Sequence, residues 1–309
     1  MTEHSFQNGI FIYLGGRVPD RLKLQITRAV IDDSVSSIDD FAFYECPHLR
    51  DVQFHRRVRR VGREAFAHCP SLLYLRMPGV RIIEDAAFFD CQQLIDVDFG
   101  TELEIIKFAA FSQCISLRFL RILTIKEIGV AAFFSCEQLL DAEFGEALEK
   151  VEQRAFHRCF NLRRVAIPLK KGILDSDVFN FCENLMKVTF IGNIHKTVSY
   201  LSMQSWRDDI EEQFRWIDRF LPSISSSLKT LALQQWIEKV LEKIDYYKAE
   251  HQRQLKMASA ELELILWRTK LEEDSMTMAL DKRREDCRIV CKADIVIPNV
   301  TSYLAIMKD

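Results

Sequence analysis

Val58-Arg59-Arg60-Val61-Gly62-Arg63-Glu64-Ala65-Phe66-Ala67-His68-Cys69-Pro70-Ser71-Leu72-Leu73-Tyr74-Leu75-Arg76-Met77 carries an apolar pattern that returns along the chain. Its apolar positions generalise to Val-x-x-Ile-x-x-x-Ala-Phe-x-x-Cys-x-x-Leu-x-x-Val-x-Phe. The same form runs over Val35–Phe54, Val80–Phe99, Leu103–Ile122, Ile125–Phe144 and Leu148–Ile167. A seventh copy keeps Phe179, Cys182, Leu185, Val188 and Phe190, with Lys171 in place of the leading aliphatic. The cysteine recurs at 46, 69, 91, 114, 136, 159 and 182, always three residues after a phenylalanine and 22 or 23 residues after the previous one. Seven copies at one period mean one structural unit stacked repeatedly. Each turn of such a stack hides its apolar positions against its neighbours, while the intervening positions hold the charge.

Two periods alternate within a copy. Val52-x-Phe54, Leu75-x-Met77, Val97-x-Phe99 and Leu120-x-Ile122 repeat every second residue, as a short strand requires. Ala65-Phe66-x-x-Cys69-x-x-Leu72 repeats every third residue, which predicts a helical or 3₁₀ turn. The expected fold is therefore an α/β solenoid of short parallel strands with helical turns, a horseshoe with right-handed connections, followed by an α-helical C-terminal segment. The copies also alternate in pairs. Copies one, three and five end in Asp51-Val52-Gln53-Phe54, Asp96-Val97-Asp98-Phe99 and Asp141-Ala142-Glu143-Phe144; copies two and four end in Tyr74-Leu75-Arg76-Met77 and Phe119-Leu120-Arg121-Ile122. The underlying unit is a 45-residue pair that sets acidic strands beside basic ones.

On these residues the chain resembles the BspA-like type of leucine-rich repeat, whose signature joins Ile-x-x-x-Ala-Phe-x-x-Cys to Leu-x-x-Val-x-Ile/Phe; the likeness covers residues 30–191. Gly100, Gly145 and Pro78 stand where other leucine-rich repeats close the strand turn with Asn or Cys. The resemblance implies a binding or recognition protein, and many such proteins lie at cell surfaces.

Composition narrows the class of function. A formal net charge of −3 over 309 residues offers no electrostatic footprint for nucleic acid. The start, MTEHSFQNGIFIYLGG, lacks the basic and apolar regions of a signal peptide, and no stretch has the length of a membrane-spanning helix. A cytoplasmic location follows as the expectation, with the nucleus as the alternative and reduced thiols in either. Asn299-Val300-Thr301 then reads as a chance match to a glycosylation site. The seven histidines share no repeat position, and there is no Gly-rich phosphate loop, Gly-x-Ser-x-Gly or His-Glu-x-x-His. The chain therefore reads as a non-enzyme without cofactor.

The partner surface is expected on the strand face. Residues flanking each central strand aliphatic point away from the core: Asp51, Gln53, Tyr74, Arg76, Asp96, Asp98, Phe119, Arg121, Asp141, Glu143, Arg164 and Lys187. Tyr74 and Phe119 are aromatics that folding does not require there, and Tyr and Arg are enriched at interface hot spots. The plain alternatives are a solvated face or a cover supplied by the C-terminal segment. A secondary basic patch, Arg56, Arg57, Arg59, Arg60 and Arg63, suits an anion, an acidic partner or nuclear import; a solvated turn is the plainer account. The cysteine ladder has no zinc spacing and reads as buried packing. Cys287-x-x-x-Cys291 shares one helix face, and packing is favoured over metal or redox chemistry.

The chain divides into an N-terminal cap (1–34, with strands over Phe11–Leu14 and Leu22–Ile31), the solenoid (35–191), a helical segment (192–285) and a tail (286–309). No glycine or proline falls between Pro222 and Pro298, which predicts helix. Ser205-Trp206-Arg207-Asp208 resembles a capping box ahead of the stripe Trp206, Ile210, Phe214, Ile217 and Leu221. A second stripe runs Leu233, Trp236, Val240, Ile244 and Tyr247 and continues through Leu255, Leu262 and Ile265. These helices are expected to cap the open solenoid end at Val188 and Phe190, with the part beyond Tyr247 as an arm. The tail resembles those of repeat proteins from diatom-like algae. Two functions follow: a protein–protein scaffold working through the strand face, or a regulatory or enzyme-associated subunit binding through its C-terminal helices.

Overall fold

The structure, a computed structural model, describes residues 6–7, 9–192, 198–201 and 203–279, with side chains to residue 270. Cys287, Cys291, Asn299 and the tail with its algal resemblance lie outside the described residues, as do His4 and His195. The chain forms two compact units, residues 1–251 and 252–309.

Each of the first six copies of the repeat becomes one coil with two parallel strands, and the seventh keeps only the longer one. The longer strands are β2 (Ile10–Tyr13), β3 (Arg28–Ile31), β5 (Asp51–Gln53), β7 (Tyr74–Arg76), β9 (Asp96–Asp98), β11 (Phe119–Ile122), β13 (Asp141–Phe144), β15 (Arg164–Pro168) and β16 (Lys187–Ile191). The shorter are β4 (Ser37–Ile38), β6 (Arg60–Val61), β8 (Ile82–Ile83), β10 (Ile105–Ile106), β12 (Glu127–Ile128) and β14 (Lys150–Val151), which pair in register as one six-stranded parallel sheet. The longer strands divide into two sheets, one running from β1 (Phe6–Gln7) to β9 and the other from β11 to β16. In the seventh coil Lys171 cannot fill the leading core position, and Ile173 and Leu174 are buried there instead, Leu174 bridging to Val151.

The apolar positions stack as the repeat requires. Phe43, Phe66, Phe88, Phe111, Phe133, Phe156 and Phe179 form a continuous column with neighbouring ring centroids 4.9–5.8 Å apart and planes within 17°. The seven cysteines of the repeat are all buried and free. Beyond packing, each thiol from Cys69 onward donates to the carbonyl of a phenylalanine in the preceding coil, as in Cys69 Sγ to Phe43 O at 3.2 Å and Cys182 Sγ to Phe156 O at 3.0 Å. Burial pushes the thiols up, Cys46 to about 12 and Cys69, Cys91 and Cys159 well above the ordinary value.

The three-residue apolar spacing produces turns closed by i to i−3 bonds, as from the Ala65 and Ala67 amides to the Gly62 and Glu64 carbonyls, without a continuous helix. Residues two before and two after each column phenylalanine adopt left-handed backbone, as at Glu64 (φ 51°) and His68 (φ 58°), and the pair recurs in all seven coils without a single glycine. Such a conformation costs a non-glycine residue about 1–2 kcal/mol. The compensation lies between coils. Glu64, Phe66 and His68 donate their amides to the carbonyls of Asp85, Ala87 and Phe89 in the next coil at 2.7–2.9 Å. A helix would have spent those donors within its own segment.

Where coils approach most closely a side chain has no room. A Cβ at Gly145 would stand 1.8 Å from the Leu123 carbonyl oxygen of the coil before. Gly145→Ala should therefore destabilise the chain by about 1–3 kcal/mol, the cost of overpacking. An unchanged urea midpoint would contradict that close approach.

The N-terminal region departs from the expectation over Leu22–Ile31. Asp20–Lys23 is a single helical turn (α1), and the strand begins only at Arg28. Here β2 and β3 continue the parallel ladder, Phe11 and Ala29 standing in line with Val52. At the other end α2 (Gln204–Phe220) buries Ile210 and Ile217, and η1 (Leu221–Ser223) breaks the chain at Pro222 before α3 (Lys229–Ala279). The expected capping box is absent. α2 begins at Gln204 with Met203 as its N-cap, so Ser205 already lies inside the first turn and no side chain caps the helix.

The first part of α3 closes the solenoid. Trp236 stacks on Phe190 at 4.8 Å, and Thr230 and Gln234 bond the turn around Leu174–Asn180. Lys229, 1% exposed, donates to the carbonyls of Cys182, Glu183 and Leu185 at 2.9–3.0 Å. Desolvation pulls its ammonium below the ordinary lysine range.

Candidate functional site: the strand face

The alternation of a strand sends every second side chain outward, and parallel in-register pairing lines equivalent positions of successive coils into rows. The first row reads Asp51, Tyr74, Asp96, then Phe119, Asp141, Arg164 and Lys187. The second reads Gln53, Arg76, Asp98, then Arg121 and Glu143. The 45-residue pairing therefore yields aromatics alternating with aspartates in one row and arginines alternating with acids in the other.

The charges answer one another across coils. Arg76 Nε lies 3.2 Å from Asp98, Arg121 Nε 3.6 Å from Glu143, and Arg164 Nε 3.5 Å from Asp141. Exposed pairs of this kind contribute about 0.2–1 kcal/mol each. They hold the arginines along the face more than they hold the fold.

The aromatics have no such role. Tyr74 is 57% exposed and Phe119 50% exposed. Sequence reading missed the N-terminal continuation of this face. Because β2 and β3 join the ladder, Ile10 and Ile12 stand exposed on it, and Arg28 pairs with Asp51 at 2.9 Å. The visible signal was the alternation in Ile10-Phe11-Ile12-Tyr13.

Of the five arginines of the basic patch, four are engaged within the solenoid. Arg60 reaches Asp40 at 3.1 Å and Glu84 at 2.9 Å, Arg59 is paired with Glu102, and Arg63 lies over the Phe41 ring at 5.0 Å. Arg57 donates to the Asp33 carbonyl at 3.2 Å, and Arg56 is exposed at the same turn. Among the described residues no group of three or more His, Cys, Asp or Glu is arranged to hold a metal ion, and no helix is long and apolar enough to cross a membrane.

Similar solved structures include a Treponema pallidum leucine-rich repeat protein (25% identity, covering 65% of this chain and 94% of that one, TM-score 0.48). Others are a leucine-rich cell surface protein from Faecalibacterium prausnitzii (19% identity, 62% and 68% covered, TM-score 0.36) and the pneumococcal vaccine antigen PcpA (15% identity, 58% and 66% covered, TM-score 0.32). No curated protein matches the chain. The family model for the BspA type leucine-rich repeat region matches residues 22–139 and 120–206 in six copies, more than half of the sequence. The chain belongs to the BspA-type leucine-rich repeat proteins.

Proposed function

We propose that this chain is a non-enzymatic scaffold that holds another protein on its strand face. The repeat fold is generally one of protein interaction or surface binding, and the observation that carries the finer reading is the pair of exposed aromatics, Tyr74 and Phe119, set between carboxylates and beside Arg76 and Arg121. Amphipathic aromatics and arginines concentrate binding energy when a partner covers them. The acids at Asp96, Asp98, Asp141 and Glu143, with Arg164, supply the polar surround that fixes register. The free thiols favour a reducing compartment, cytoplasm or nucleus.

A second reading gives the binding to the C-terminal helices of a regulatory subunit. It is favoured by the exposed apolar run Leu262, Leu264, Ile265, Leu266 and Trp267 in the second unit. The two readings separate in one experiment. Proximity labelling with the full chain identifies what it holds; replacing Tyr74, Arg76, Phe119 and Arg121 by alanine should weaken binding of that partner by at least about 100-fold, since each hot spot is worth about 2 kcal/mol or more even though such values do not add fully. Unchanged recovery from a normally folded variant would sink the strand-face reading.

A further inference from the structure

The turn face of the solenoid carries an open trough of about 540 Å³ in its central coils. Its floor is Ala86, Ala109 and Ala131, the left-handed positions that hold Glu64 and Arg154 in the flanking coils. Its walls are Phe89, Phe108 and Phe134, with Phe108 55% exposed. Three consecutive alanines where the other coils place larger residues are what open the depression. The ends are charged in opposite senses. Glu64 lines the end nearer the N-terminus, beside Asp85, whose carbonyl accepts the Glu64 amide; Arg154 lines the other, with Arg158 following in the same coil.

The second unit presents the complementary series. On α3, Glu261 and Glu263 precede Leu264, Ile265, Leu266 and Trp267, and Arg268 and Lys270 follow. Met257, Ala260, Leu264 and Trp267 fall at helical spacing on one face, with Leu264 69% and Trp267 67% exposed. The lengths agree. Four coil steps from Glu64 to Arg154 span about 19 Å at strand spacing. Glu261 to Lys270 rises about 14 Å on a helix, and the long terminal side chains cover the remainder.

We propose that a second copy of this chain seats its Glu261–Lys270 helix in the trough. Trp267 and Leu264 enter between the phenylalanines, Glu261 and Glu263 face Arg154 and Arg158, and Lys270 faces Glu64. One contact thereby covers two apolar surfaces that a soluble protein does not ordinarily leave bare, and the charge order sets a single direction for the helix. Reciprocal exchange closes a two-fold dimer, and one-way seating builds a longer assembly.

Sedimentation of the full-length chain tests this. The weight-average mass should rise with concentration. Ala86→Arg with Ala131→Arg fills the trough at positions where Arg154 shows the backbone to tolerate arginine, and should weaken association by about tenfold or more without changing the melting temperature much. Glu261→Lys with Glu263→Lys should do the same, as should Arg154→Glu with Arg158→Glu, and mixing these two charge variants should restore association. A chain that stays monomeric throughout, a filled trough that associates like wild type, or a mixture that does not recover would each overturn the proposal.

Discussion

Above about pH 9, the ordinary value for a thiol, the stability of this chain should collapse faster than its carboxylates or amines can explain. Burial raises the pKa of Cys46, Cys69, Cys91, Cys114, Cys136 and Cys159 together. The folded chain therefore keeps six protons that the unfolded chain releases. Each contributes stability that is complete below the unfolded value and is lost as pH rises towards the folded one, about 12 for Cys46. At about 1.4 kcal/mol per pH unit per group, six thiols give a slope of at most roughly 8 kcal/mol per unit, comparable to the whole stability of an ordinary domain. Burial of Tyr13 acts in the same direction. Lys229, held below its ordinary value, opposes with a single group. Urea unfolding followed by circular dichroism between about pH 7 and about pH 10.5 reads the slope directly. Replacing Cys91, Cys114 and Cys136 by alanine should halve it, although each loss also removes a thiol donor and lowers stability at neutral pH. A flat profile would falsify the burial of the ladder.

Lys229→Met should cost about 2–6 kcal/mol. The side chain fits an apolar site by length, but the carbonyls of Cys182, Glu183 and Leu185 then lose a charged donor; Cys182 keeps the Leu185 amide, while the other two are left unmatched at about 1–3 kcal/mol each. Arginine should not rescue the loss, since a planar fork does not replace a compact ammonium among three convergent oxygens. The expected signature is local: α3 lifts from the last coil, uncovers Val188 and Phe190 and binds a hydrophobic dye, while the central coils keep their ladder. Stability equal to wild type with no dye binding would show that the helix is held without this lysine.

The coil count, the core positions and the outward positions of the strand face were all legible in the amino-acid pattern. A solenoid buries the same positions in every coil, so Phe66 and Cys69 announce Phe88 and Cys91, and a reading error in one copy is corrected by six others. The pairing of Asp51, Asp96 and Asp141 with the coils of Tyr74 and Phe119 followed from the same arithmetic. Regions with no second copy to compare were read less well. Ser205 looked like a cap because its neighbours fit a local motif, yet the cap position is Met203, two residues earlier. Leu22–Ile31 looked like one strand, yet a helical turn precedes the β3 strand there.

By itself, then, the sequence determined which side chains are buried and which line the strand face, because burial in a repeat depends on spacing alone. Only the tertiary structure decided how the turn segments are built, what the cysteines do and where the surface is hollow. The left-handed residues such as Glu64 and Ala109 carry no local sign, since their cost is offset by amides given to the next coil. The thiol bonds reach carbonyls 25 or 26 residues away. The trough exists because Ala86, Ala109 and Ala131 are brought side by side, and that adjacency belongs to the stack rather than to any stretch of the chain.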